Sequence, residues 1–458
     1  MEIKSFAVKT CLIFLVFAAF FTPGFAFTSD KKDDQSLLSL SDAIKKALES
    51  NPRAKAASSQ ADESDARITQ ARSGLLPQIY LNETYGRTTN PMWAFGTKLN
   101  QEKIAQSDFD PARLNDPDVI NNFITSVTFD WTLFDGGQTW IGLKQAKSDS
   151  EASQFMLQRT REEIIAQTGM AYLGLLIAEE NLALIRQILE TAVSHLKMVR
   201  SRYENGFVVK SDLLRAQVRV SELEQDLFAA ESGFIIAKAM LCNAMGIPAG
   251  SSFGTSTRLE QGGEIEEPVE KWTQKALANR KDLKQLLTHE SMAKEEVDKS
   301  LAGHLPSLHL VGNYEINSED FSDTADNYMV GAMMRLNLFS GERLSGKTKE
   351  ARASLKRIQS IRQELELGID IQVRKAYYNA LSSRKRIKTS QESVSQAEEN
   401  LRIVRTRYEN GLYTIISLLD AEAALKQART GYLKALHDYN AASIQLALAA
   451  GTINEILQ

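Results

Sequence analysis

The chain has 458 residues, room for two or three domains, and its 54 lysines and arginines nearly balance 58 aspartates and glutamates. A net charge of −4 with both signs interspersed excludes the concentrated basic surface on which nucleic-acid binding depends. Two cysteines, Cys11 and Cys242, exclude a disulfide framework.

Residues 1–26 read as a signal peptide. Lys4 and Lys9 flank the start of an apolar run at 11–21, and Gly24-Phe25-Ala26 sets small residues where a signal peptidase cuts. The run is too short for a transmembrane helix, which takes about 20 apolar residues. Cys11 opens the run rather than closing it, which argues against lipid attachment. Its removal leaves Cys242 alone, expected as a small buried hydrophobe. Beyond the leader no continuous apolar run suffices to cross a bilayer as a helix. A crossing would then have to be part of a closed β-barrel.

The rest of the chain is written twice. Val199-Arg-Ser-Arg-Tyr-Glu-Asn-Gly206 returns as Val404-Arg-Thr-Arg-Tyr-Glu-Asn-Gly411, an offset of 205 residues (199 to 404) that also pairs Tyr172 with Tyr377. Upstream, Leu76-Pro77 pairs with Leu305-Pro306 at an offset of 229 (76 to 305), so the first copy carries a 24-residue insertion. The first repeat is placed at 27–246, a linker rich in Gly, Ser and Glu at 247–270, and the second repeat at 271–458. Each copy is expected as helix, β-hairpin, very long helix, turn, long helix.

The strands follow a period of two. Phe123, Thr125, Val127, Phe129, Trp131 and Leu133 alternate with Ile124, Ser126, Thr128, Asp130 and Thr132; Tyr328, Val330, Ala332, Met334, Leu336 and Leu338 alternate with Arg335 and Asn337. Partner strands are expected around Ile79, Leu81 and Tyr85 and around Leu308, Leu310 and Tyr314. One apolar and one polar face suit a soluble sandwich, or a barrel with lipid outside and water inside. Four strands cannot close a membrane barrel, since the smallest has about eight, so a barrel requires several chains. The insertion falls in the first hairpin loop, 87–122.

No proline lies between Pro117 and Pro248, or after Pro306. Residues 137–202 could run as one helix of about 100 Å at 1.5 Å per residue. Leu213, Ala216, Val220, Leu223, Leu227 and Ala230 step by three and four, as do Leu418, Ala421, Leu425, Ala428, Tyr432 and Ala435. A sustained heptad predicts coiled coils, and a second apolar flank permits packing on both sides.

Gly341-Glu-Arg-Leu-Ser-Gly346-Lys347-Thr348 matches the phosphate-binding pattern GxxxxGK[ST], and Ile415-Ile416-Ser417-Leu418-Leu419-Asp420 mimics its apolar-plus-Asp partner. The preceding strand is amphipathic, unlike a P-loop strand; the first copy lacks the Lys and Thr; and an exported protein meets no ATP pool. The segment is expected instead as a strand-to-helix turn with Ser340 as N-cap. His195, His289, His304, His309 and His437 have no metal-ligand spacing, and Met329, Met333 and Met334 are expected to pack. No catalytic residue, metal or cofactor is therefore assigned, and the chain is not expected to be an enzyme.

Two hairpin-plus-coil copies behind a signal peptide, with paired Arg-Tyr-Glu-Asn-Gly turns followed by Ser211-Asp212-Leu213-Leu214 and Ser417-Leu418-Leu419-Asp420, resemble the TolC-like outer-membrane efflux protein family. The resemblance implies a mainly α fold with a β-barrel part. In it a homotrimer forms a twelve-stranded barrel in outer-membrane lipid of a Gram-negative bacterium, continued by a coiled-coil α-barrel across the periplasm. It implies a passive exit channel for efflux or type I secretion, with a periplasmic adapter and an inner-membrane transporter as partners. The adapter would dock at Tyr203, Asn205, Gly206, Leu213, Asn410, Gly411 and Leu418. At the periplasmic gate Asp420 retains one ring acid and Ser417 replaces the other. Tyr408 and Asp212 map to the latch pair, and Tyr413 stands where the family has a reinforcing arginine. A periplasmic coiled-coil scaffold without a channel is the alternative, and a P-loop enzyme the remotest reading.

Overall fold

In the computed structural model, which describes residues 37–263 and 265–457, each copy opens on two helices rather than the one expected. The leader expected at 1–26 lies outside the described residues. The helices and the main sheet lie within the unit formed by Leu38–Ser251 and Thr255–Gln458. In the first copy α1 (Leu40–Ser50) stops at Asn51 because Pro52, lacking an N–H, starts α2 (Pro52–Ser73) at its first turn. Asn51 caps α2 by accepting from Arg53 N at 2.8 Å, and its amide donates to Ala244 O at 2.8 Å. In the second copy α7 (Val269–Asn279) and α8 (Lys281–Ala302) break at Arg280 without a proline. There the buried guanidinium fixes the bend, donating to Asp282 Oδ1 at 3.0 Å and Gln372 Oε1 at 2.7 Å.

Four strands form one antiparallel sheet in the order β1 (Gln78–Thr88), β2 (Ile120–Phe134), β3 (Ser307–Ser318), β4 (Thr324–Arg335). The β2–β3 pairing joins the two copies. Opposed residues share a face, so the register sorts the alternation into two surfaces. On one, Leu81, Val127, Tyr314 and Tyr328 form a row beside Ile79, Phe129, Gly312 and Val330. On the other, Asn82, Ser126, Glu315 and Asn327 lie beside Tyr80, Thr128, Asn313 and Met329. The outer edges of β1 and β4 have no partner among the described residues. Leu336 and Leu338, expected in the last strand, follow its end at Arg335.

The 87–122 insertion is folded rather than open. It holds α3 (Pro91–Asn100) and α4 (Pro111–Asn115), and an ion pair of 2.8 Å ties Lys98 of α3 to Asp108 in the 3-10 turn between them. A buried amide chain, Gln101 to Asn122 at 2.9 Å and Asn122 to Asn317 at 2.7 Å, fastens it to the sheet.

Each hairpin feeds a helix of 67 residues, α5 (Gln138–Glu204) and α9 (Arg343–Glu409), followed by one of 36, α6 (Lys210–Met245) and α10 (Ile415–Ala450). At 1.5 Å per residue the longer pair run about 100 Å. Helix α5 packs on α6, α9 on α10, and α10 on α5, which joins the copies along the coils. Val199, Leu223, Leu241 and Leu446 of the heptad stripes are buried there, as is the free Cys242. Contrary to expectation, α5 and α6 each contain a stretch long and apolar enough, by composition, to cross a bilayer. In α5 half of it is buried against neighbouring helices; in α6 most of it is uncovered in the protomer.

The GxxxxGK[ST] string is helix, not an anion cradle. Gly341 and Glu342 turn the chain with φ of +59° and +65°, and α9 begins at Arg343, three residues before Gly346. Thr348 is buried, donating to Leu344 O at 3.2 Å and accepting from Ser300 at 3.2 Å, so its hydroxyl cannot serve a metal. Ser340 is not the N-cap residue. That position belongs to Glu342, while Ser340 Oγ accepts from Leu344 N at 3.4 Å.

Candidate functional site: the paired coil tips

The repeated Arg-Tyr-Glu-Asn-Gly strings end α5 and α9 in identical turns. Gly206 and Gly411 have φ of +78° and +75°, and a Cβ on either would meet nothing within 4 Å. The left-handed backbone, not crowding, therefore selects glycine. Phe207 N donates to Arg202 O at 2.8 Å and Leu412 N to Arg407 O at 2.9 Å. Asn205 and Asn410 cap the same ends, donating to Ser201 O at 2.7 Å and Thr406 O at 2.8 Å.

Of the residues expected to dock a partner, Tyr203, Asn205, Gly206, Asn410 and Gly411 are exposed, and Leu213 is half-buried. Leu418 is not at the surface. It is fully buried with Val199, Ala216, Val404, Tyr408, Ile415 and Ala421, because its heptad position faces the seam between the two copies. The apolar side chains that do project from the turns are Phe207, Val209 and Leu412, which the sequence reading missed.

Asp420 is exposed on α10 one turn beyond Ser417, which sits against the N-cap Thr414 with 3.3 Å between hydroxyls. Tyr408 and Asp212 lie near one another but share no hydrogen bond. The Tyr408 hydroxyl is buried with no hydrogen-bond partner among the described residues. Burial pushes its phenol above the ordinary tyrosine range, the nearby Arg202 opposes the shift and the Asp212 charge adds to it. A buried hydroxyl without a partner costs stability. Tyr408→Phe should thus leave the melting temperature of the purified protein unchanged, or raise stability by up to about 1 kcal/mol. A clear loss of stability would mean that the hydroxyl does bond, as the latch expectation required.

What joins the copies here is Arg202. From α5 it donates to the last carbonyls of α9, Nη2 to Glu409 O at 3.0 Å and Nη1 to Tyr408 O at 3.4 Å, with its guanidinium 5.3 Å from the Tyr408 ring centroid. These carbonyls are the negative end of the helix dipole, where a cation is favoured. The equivalent Arg407 turns instead to Tyr413, donating to its hydroxyl at 3.1 Å and lying 5.3 Å from its ring centroid. Two more cross-links went unpredicted. His195 Nδ1 on α5 lies 2.5 Å from Glu422 Oε1 on α10, both buried, and Lys426 meets Asp226 between α10 and α6.

The sequence signature described as outer membrane efflux protein matches residues 43–247 and 272–452. The chain belongs to that family. The TolC outer membrane protein of Vibrio cholerae is 24% identical over 426 residues, 91% of each chain. The alkaline protease secretion protein AprF of Pseudomonas aeruginosa is 24% identical over 441 residues, 94% of this chain and 88% of that protein. In fold, the CmeC outer membrane channel of Campylobacter jejuni superposes with a TM-score of 0.78 at 17% identity, covering 93% of this chain and 91% of that one. The protein is an outer-membrane channel of TolC type, and the family is not enzymatic. The scaffold and P-loop readings are set aside.

Proposed function

We propose that three copies of this chain close a single conduit, its β-barrel in outer-membrane lipid and its coils around a periplasmic channel, which a periplasmic adapter joins to an inner-membrane transporter. The observation that carries this reading is the sheet. It has one apolar and one polar face, and both edges lack partners among the described residues, an arrangement that is costly in lipid unless further strands complete it. The coils support the same closure. If the packing of α10 on α5 is repeated between chains, α6 of the next copy covers α9; exposed Phe228, Ile235 and Met240 on α6 and exposed Leu367, Ile371 and Tyr378 on α9 supply apolar faces for that seam. The adapter is assigned to the turns, where Phe207, Val209 and Leu412 add apolar contacts to Tyr203, Asn205, Gly206, Asn410 and Gly411. Relatives named for alkaline protease secretion and for pyoverdine export suit a duct whose cargo is chosen by the pump.

Asp420 is the gate carboxylate in this reading. Like charges brought around a narrow lumen attract cations. In planar bilayers the protein should conduct with cation preference, and Asp420→Ala should weaken both that preference and block by divalent cations. Failure of the purified protein to conduct would count against the channel architecture; unchanged selectivity in Asp420→Ala would remove Asp420 from the gate.

A further inference from the structure

We propose that Arg407 binds the next copy of the chain, donating to the main-chain carbonyls of that copy's Tyr203 and Glu204 at the end of α5. The proposal rests on the trimeric reading and deepens it by naming a contact between protomers at the coil tips.

The argument is the internal duplication. Arg202 and Arg407 occupy the same place in the repeated string, one turn before identical glycine turns. Within a protomer only one of the two relations this implies is realised: Arg202 of the first copy grips the last carbonyls of the second copy's long helix. The matching acceptors exist at the end of α5. Tyr203 O and Glu204 O follow the same geometry, down to the turn bond from Gly206 N to Tyr203 O at 3.0 Å, which repeats that from Gly411 N to Tyr408 O at 3.0 Å. No side chain among the described residues reaches these two carbonyls. Among the described residues the duplicated string occurs only at these two places, so within the protomer Arg202 meets the matching helix end and Arg407 does not.

Exposure registers the difference. Tyr408, covered by Arg202 and the seam, is 4% exposed, while its equivalent Tyr203 is 38% exposed. Arg407 is itself exposed and rests on Tyr413 of its own chain. Repeating the Arg202 relation from the second copy of one chain to the first copy of the next supplies α5 with its arginine and covers Tyr203. In a closed ring every such arginine and every helix end is then used once. The bond chemistry favours the contact, since a guanidinium presents two parallel N–H groups to adjacent carbonyls at the negative end of a helix.

The test places a photo-crosslinking benzoylphenylalanine at position 407 of the full-length protein in its own membrane, with two differently tagged chains co-expressed. The expected adduct joins the two tags and maps to 203–206. Adducts confined to Tyr413 of the same chain, in samples that still run as heat-modifiable trimers, overturn the Arg407 contact alone. Samples with no trimer overturn the trimeric reading and the contact with it. Because the probe replaces the arginine, Arg407→Ala is measured separately. It should raise single-channel conductance about two-fold or more by freeing neighbouring tips, as Arg202→Ala should, with Arg407→Lys in between. Conductance that responds to Arg202→Ala and not to Arg407→Ala contradicts the proposal.

Discussion

Val330→Arg is expected to abolish assembly into the outer membrane, while Met329→Arg on the same strand leaves it largely intact. Both side chains are exposed in the protomer, 70% and 61%, so burial within one chain does not separate them. Their faces do. Val330 lies in the row of Ile79, Phe129 and Gly312, whereas Met329 lies in the row of Tyr80, Thr128 and Asn313. An arginine on the lipid face near the bilayer midplane costs about 2–4 kcal/mol, and a homotrimer would carry it in every protomer. An arginine on the water-lined face keeps its hydration and alters ion selectivity instead. Heat-modifiable trimer in outer-membrane extracts reads the outcome. Equal tolerance of both substitutions would contradict the assignment of faces, and the reverse order would invert it.

The second large effect is at Leu418. Leu418→Ala should destabilise the protein by about 2–5 kcal/mol, the range for deleting a fully buried leucine whose surroundings cannot collapse. Its neighbours are held by three long helices, Val199 on α5, Val404 and Tyr408 on α9 and Ile415 on α10 itself, so the space should stay open. Phe207→Ala and Leu412→Ala should leave thermal stability unchanged, because both side chains are exposed, and should weaken capture of the adapter in cells. Thermal unfolding of the detergent-solubilised protein, set beside cross-linking to the adapter, separates the two classes. A Leu418→Ala protein of normal stability that fails only in adapter capture would return Leu418 to the docking surface.

The features legible in the sequence were those written in periodicity and repetition. The duplication, the long coils and the alternating strands are local patterns, and each copy confirms the other. The bend at Pro52 is chemically visible in the chain, yet its counterpart at Arg280 depends on Asp282 and Gln372, the latter on α9, and no local signal announces it. Leu418 was placed at the docking surface from its nearness to the turn; its heptad position, equally legible, puts it in the seam. Arg202 stood inside the repeated string, but its acceptors are backbone carbonyls, which have no sequence signature. His195 and Glu422 come from different copies, where their equivalents are Asn400 and Gln217, so comparing the repeats could not reveal the pair. Only the heptad stripe of α6 was read as coil packing; Phe228, Ile235 and Met240, which lie off that stripe and are exposed in the protomer, were not foreseen.

Single-particle images of the protein extracted from outer membranes test the central claim most directly. Three protomers around a hollow axis, with a short barrel at one end and coils beyond it, is the predicted result. A solitary protomer with a closed sheet and no axial opening would contradict it.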